Sequence, residues 1–178
     1  MYFKLIFLIV ICSIFKVSLQ GDKEFVSPVL QPTRRGSNWL LYAGKTYYKG
    51  IVFKTNYFKA TQFCRQQGMQ LLSINNNLEN DRIRTFLKDT GVLTGIYWTS
   101  GTKLVGDNQW VWLSTGQPLE YTNWADGEPS GLSLDRKRDE NCLVFDYFKG
   151  LKSWNDMNCH ENQYFICESV SECDKAQN

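Results

Sequence analysis

The chain has 178 residues, with 20 Lys and Arg against 18 Asp and Glu and a formal net charge of +2. It shows no basic stripe, which argues against nucleic-acid binding. A single histidine, no His-Glu-x-x-His and no nucleophile elbow leave little from which to build a zinc site or a hydrolase. The chain is therefore not expected to be an enzyme.

In chain order, Lys4 precedes the apolar run Leu5–Phe15. That run has the length of a secretory signal's apolar region and falls short of the ~20 residues of a membrane span. Residues 1–20 are expected to be a signal peptide, cut near Gln20 or Gly21, giving a secreted, extracellular product with no membrane insertion. Without Lys4 and Lys16, the 20 basic residues fall to 18 and equal the acidic ones. The remaining ~158 residues suit one domain and a short tail.

Residues 21–38 carry Pro28, Pro32, Arg34, Arg35 and Gly36 and read as an N-terminal arm or linker. Leu40–Phe53 is rich in Tyr, Val, Ile and Phe and is expected to form short strands broken at Gly44 and Gly50. From Tyr57 to Gln67, Ala60, Phe63 and Cys64 mark one face of an amphipathic helix that Gly68 ends. A second helix is expected from Asn76, with Glu79 completing a capping box, Ile83, Phe86 and Leu87 buried, and Gly91 as its stop. After Gly95 come short β-rich runs: Tyr97-Trp98, Trp110–Leu113, Cys142–Phe145 and Tyr164–Cys167. Helices followed by strands point to an α+β domain, placed at residues 39–169, with 170–178 as a tail.

With Cys12 inside the signal, Cys64, Cys142, Cys159, Cys167 and Cys173 remain. Four of them can form two bridges in an oxidising compartment, and three pairings are open. The fifth, Cys173, either links two chains into a homodimer or stays a tail thiol. No Asn-x-Ser/Thr site is present, so N-glycosylation is not expected.

The densest chemistry lies between Glu128 and Asp156. Glu128-Pro129-Ser130, Glu140 and Trp154-Asn155-Asp156 gather oxygen-bearing side chains around Cys142 and Cys159. A hard cation such as Ca²⁺ takes six to eight oxygens from carboxylates, amides and backbone. The competing reading is that these residues only form turns. Trp124 and Trp154 are expected to be packing residues, and His160 a surface side chain.

From about Leu40 to Glu168 the chain resembles a C-type lectin-like domain of the short form. The matching residues are the Cys64 helix, Tyr97-Trp98-Thr99-Ser100-Gly101, Trp124, Glu128-Pro129-Ser130, Glu140-Asn141-Cys142, Trp154-Asn155-Asp156, Cys159 and Phe165-Ile166-Cys167-Glu168. Trp98–Gly101 with Trp112-Leu113-Ser114-Thr115-Gly116 is similar to lectins of insects and other arthropods. The resemblance implies two helices, short antiparallel sheets and a long loop region stapled by Cys64–Cys167 and Cys142–Cys159. It further implies Ca²⁺ as cofactor, held by Glu128, Ser130, Glu140, Asn155 and Asp156, with Pro129 cis. Glu128, Ser130, Glu140 and Asn155 would also contact a sugar, and the expected partners are glycans on cell or microbial surfaces.

The family usually has Asn where this chain has Ser130, so weaker calcium and sugar binding is expected. Glu128 favours mannose- or fucose-type glycans over the galactose class. Gly131 and Asn141 stand where a second calcium site would want acidic residues. The loop from Gly131 to Asp139, with Arg136-Lys137-Arg138, is expected to be solvated, its charges offset by Asp135 and Asp139. Two readings therefore compete: a secreted calcium-dependent lectin of innate immunity, and a calcium-independent protein-binding module on the same scaffold. A galactose-binding lectin is a variant of the first.

Overall fold

All strands among the described residues join one sheet, and its two middle members come from distant parts of the sequence. The computed structural model describes residues 38–88, 95–106, 109–132, 139–147 and 153–170. The signal segment, all but the last residue of the arm, Gly91, the Arg136-Lys137-Arg138 run and Cys173 lie outside the described residues.

Among the described residues the order is β1 (Trp39–Tyr42), β2 (Lys45–Thr55), α1 (Tyr57–Gln66), β3 (Met69–Leu71), α2 (Asn77–Lys88), β4 (Ile96–Thr102), β5 (Val111–Trp112), β6 (Gln117–Pro118), β7 (Cys142–Asp146), β8 (Ser153–Met157) and β9 (Gln163–Ser169). The sheet runs β1-β2-β9-β4; from β4 one branch continues to β5 and β6 and another to β7 and β8, while β3 pairs with β9. The β4–β9 pair is parallel and the other ladders are antiparallel. No described helix is long and apolar enough to cross a membrane.

The helices begin where their caps place them. Asn56 accepts the Lys59 N–H at 3.0 Å and opens α1, which buries Ala60 and Cys64. Gly68, at φ +68°, carries the chain out of the helix in a left-handed conformation that favours glycine. Asn76 accepts the Glu79 N–H at 2.9 Å and opens α2. Glu79 returns its bond to the Asn75 N–H, one residue before the capping-box position, because its other oxygen takes the Tyr47 hydroxyl at 2.6 Å. The buried face of α2 includes Ile83, Phe86 and Leu87.

Two expectations about strands need correction. Gly44 sits in the β1–β2 turn, but Gly50 does not break β2, which runs on to Thr55. A Cβ at Gly50 would stand 2.3 Å from the Phe165 ring, so this glycine allows a close approach to β9 rather than a break. Of the Trp110–Leu113 run only Val111–Trp112 is strand. The chain turns at once, with the Gly116 N–H donated back to the Trp112 carbonyl at 2.8 Å.

The central strands are apolar on both faces. In β9, Phe165 and Cys167 enter one cluster with Tyr57, Cys64 and Trp98, while Ile166 enters another with Leu72, Trp112 and Trp154. In β7, Cys142 and Val144 alternate with Leu143 and Phe145 in the same way. That is the two-residue period of a strand covered on both sides. Cys64–Cys167 ties α1 to β9 across 103 residues, worth about 4–5 kcal/mol in the chain-entropy account. Cys142–Cys159 clamps the start of β7 to the chain just beyond β8.

One buried polar cluster supports the sheet. Glu168 is fully buried and accepts bonds from Lys45 Nζ at 3.1 Å, Gln70 Nε2 at 3.1 Å and the Ser73 N–H at 3.0 Å. Burial pushes its carboxyl above the usual range against the pull of Lys45.

Candidate functional site

Trp154 locks the loop that carries the candidate ligands. Its indole is fully buried and donates to Asn80 Oδ1 at 3.0 Å. Its backbone accepts the Ala125 N–H and donates to the Asn123 carbonyl, both at 2.8 Å. Glu128 follows in a turn closed by its N–H on the Ala125 carbonyl at 3.0 Å, and the Glu128–Pro129 peptide is cis. A 3.0 Å bond from the Glu140 N–H to the Gly131 carbonyl brings Glu140 back beside this loop.

Four of the five sequence-predicted residues come together, with Glu128, Glu140 and Asp156 all reaching Ser130. Its N–H is shared between Glu128 Oε2 at 2.7 Å and Asp156 Oδ1 at 2.9 Å. Its hydroxyl lies 3.2 Å from the Leu132 carbonyl, 3.3 Å from Glu140 Oε2 and 3.5 Å from Asp156 Oδ1. Asp156 is fully buried, and its Oδ2 accepts the Gly131 N–H at 2.8 Å. In β8, Asp156 stands opposite Leu143 and Asn155 opposite Val144, so the two side chains leave the strand in opposite directions. Asn155 instead lines a cleft of about 350 Å³ with Glu128, Trp124, Ala125, Asp126, Asp146 and Ser153.

The electrostatics are those of oxygens short of a cation. Burial pushes the Glu128 carboxyl above the usual carboxylate range, opposed by the Ser130 N–H and reinforced by the neighbouring Asp156 carboxylate. Asn155 Oδ1 is buried and has no hydrogen-bond partner among the described residues. Buried carbonyl oxygens are normally satisfied. An amide oxygen left bare in a cleft that Asp126, Glu128 and Asp146 also line fits a hard cation. The fit is incomplete as the side chains stand: among the described residues no three His, Cys, Asp or Glu converge on one point. Part of the reason is that Asp156 is already engaged by two backbone N–H groups and by the Lys103 ammonium, 3.8 Å from Oδ2.

Sequence reasoning missed Lys103, which no local pattern marks, and it missed Asp126, Asp146 and Ser153 on the cleft wall. Trp124 both packs, 5.0 Å from Trp110 and 5.9 Å from Trp154, and lines the cleft. His160 is exposed, against the Phe58 ring.

Comparison with known proteins agrees with this fold. The family described as the lectin C-type domain matches residues 53–169. The C-type lectin mosGCTL-7 of Aedes aegypti is 27% identical over 121 residues, 65% of this chain and 77% of that protein. The CD209 antigen-like protein D of Mus musculus is 29% identical over 161 residues, 89% of this chain but 61% of that protein. Among solved structures, the carbohydrate-recognition domain of the human scavenger receptor C-type lectin superposes with a TM-score of 0.65 at 28% identity, covering 75% of this chain and 97% of that one.

Proposed function

Because the chain belongs to the C-type lectin domain family, whose members bind ligands and are not enzymes, we propose that it is a secreted, calcium-dependent lectin for mannose- or fucose-type glycans. The observation that carries this is the bare, buried Asn155 Oδ1 beside Glu128, with Asp156 and Glu140 gathered at Ser130. Glu128, Ser130, Glu140, Asn155 and Asp156 would hold the ion. When bound, calcium would supply open coordination positions for two neighbouring sugar hydroxyls. Glu128 and Glu140 accept hydrogen bonds from those hydroxyls, and Asn155 donates its amide N–H, so binding displaces water and breaks no bond. Glu128 favours the mannose and fucose class over galactose.

A structural neighbour that is a carbohydrate-recognition domain, and an insect C-type lectin among the relatives, support glycans on cell or microbial surfaces as partners; a part in innate immunity belongs to the same proposal. A homodimer through Cys173 belongs to the same proposal. Unchanged migration of Cys173→Ser on a non-reducing gel would end it. The main test is a glycan array at millimolar Ca²⁺ repeated in EDTA; retention indifferent to EDTA rejects calcium dependence.

A second reading, a calcium-independent protein-binding module, draws on one observation. Asp156 is already satisfied by the Ser130 and Gly131 N–H groups and Lys103. Isothermal titration with no Ca²⁺ uptake at millimolar concentration would favour it.

A further inference from the structure

Lys103 stands where three separate pieces of the ligand loop meet. Its N–H donates to the Asn141 carbonyl at 3.1 Å, and the Thr102 hydroxyl donates to the same carbonyl at 2.8 Å. The Leu104 N–H closes on Thr102 Oγ1 at 3.1 Å, so residues 102–104 are fastened to the residue after Glu140. From that anchor the side chain, 17% exposed, reaches Asp156 Oδ2 at 3.8 Å. On the way its ammonium lies 5.4 Å from the centre of the Trp110 ring. It also sits 3.4 Å from where a Cβ on Gly131 would be.

Two backbone N–H groups satisfy the hydrogen-bonding demand of Asp156 but leave its charge, and a buried charge needs a partner. Lys103 is the cation within 4 Å of that carboxylate among the described residues. Position 131, where a second metal would want an acid, carries a glycine at φ +77°, and the ammonium lies at van der Waals distance from where its Cβ would be.

We propose that Lys103 is a built-in counter-cation of this site: its ammonium neutralises Asp156, which holds the Gly131 N–H, while its backbone N–H holds the Asn141 carbonyl, so these pieces stay together without metal. It acts as a positioning residue, touching neither sugar nor a sugar-bound ion. The inference rests on the calcium reading only for the metal arm of its test.

The test is the thermal midpoint of the full chain with Lys103, Lys103→Met and Lys103→Arg, each in EDTA and in millimolar Ca²⁺. Lys103→Met should lower the EDTA midpoint by about 5 °C. Lys103→Arg should recover most of the loss, and calcium should raise the Met variant more than the parent. The double variant Lys103→Met/Asp156→Asn, which removes both charges, should be less damaged than the sum of its single changes. An EDTA midpoint unmoved by Lys103→Met overturns the inference, as does a loss that neither arginine nor calcium reverses. If no variant responds to calcium while arginine still rescues methionine, the calcium reading falls and the counter-cation stands. If the parent responds to calcium and Lys103→Met matches it in EDTA, the reverse holds.

Discussion

Ser130→Asn should strengthen binding, and the size of the gain follows from what the serine does now. Its hydroxyl has one proton and three acceptors, at 3.2, 3.3 and 3.5 Å. All three are longer than a good O–H···O bond, so at most one weak bond is lost on substitution, roughly 0.5–1 kcal/mol. Position 130 is exposed, and a longer side chain has room. Asparagine offers an amide oxygen to the ion and an N–H to a sugar oxygen at the same time. One hydrogen bond to a charged group is worth about 1.5–3 kcal/mol, or roughly 10- to 150-fold in affinity. After the lost serine bond, a net gain of about tenfold is expected. Calcium titration by calorimetry, followed by a mannan column at fixed calcium, measures both halves. Equal or weaker calcium and sugar affinity in Ser130→Asn would refute the assignment of residue 130 as a shared ligand.

Other predictions concern the scaffold. Lys45→Met removes the cation between Glu79 and Glu168, whose side chains are 6% and 0% exposed, and should cost about 3–5 kcal/mol in denaturant unfolding. Adding Glu168→Gln should return much of that loss; a Lys45→Met cost under about 1 kcal/mol would contradict the buried-pair account. Lys49 is fully buried, its Nζ has no hydrogen-bond partner among the described residues, and burial lowers its pKa to about 8. The unfolded lysine titrates near 10.4, so between the two values the unfolded state binds more protons and stability should rise with pH. Lys49→Met should raise stability at pH 7 and flatten that rise; an unchanged slope would show that another group causes it. Gly50→Ala puts a Cβ 2.3 Å from the Phe165 ring and should cost about 1–3 kcal/mol, read as a lower thermal midpoint.

What could be read in advance depended on how local the signal was. Helix α2 was legible because Asn76, Glu79, Ile83, Phe86 and Leu87 declare a cap and a buried face within a dozen residues. The approach of Glu128, Glu140 and Asp156 to Ser130 could be expected because their spacing around Cys142 and Cys159 follows a family pattern, whereas Asn155 faces the cleft. Gly50 was misread because glycine in a strand looks the same whether it breaks the strand or admits a ring, and that ring, Phe165, comes from β9. Lys103 gave no signal at all. Its meaning lies in Asp156 and Gly131, both brought to it by folding.

The sheet order also sets how the domain can be displayed. Trp39 pairs with Tyr48, and Tyr48 with Cys167, so the described chain enters and leaves two strands apart, about 10 Å. The route from β1 through β2, β9, β4 and β7 to β8 puts the ligand-bearing strand at the other end of the ladder, some five strand spacings away. The described chain therefore enters on β1, five spacings from β8, and leaves from β9, three spacings from it, so neither described end lies beside the ligand-bearing strand. Copies tethered through those two strands would keep β8 clear of the tether, and weak single contacts would add up as avidity.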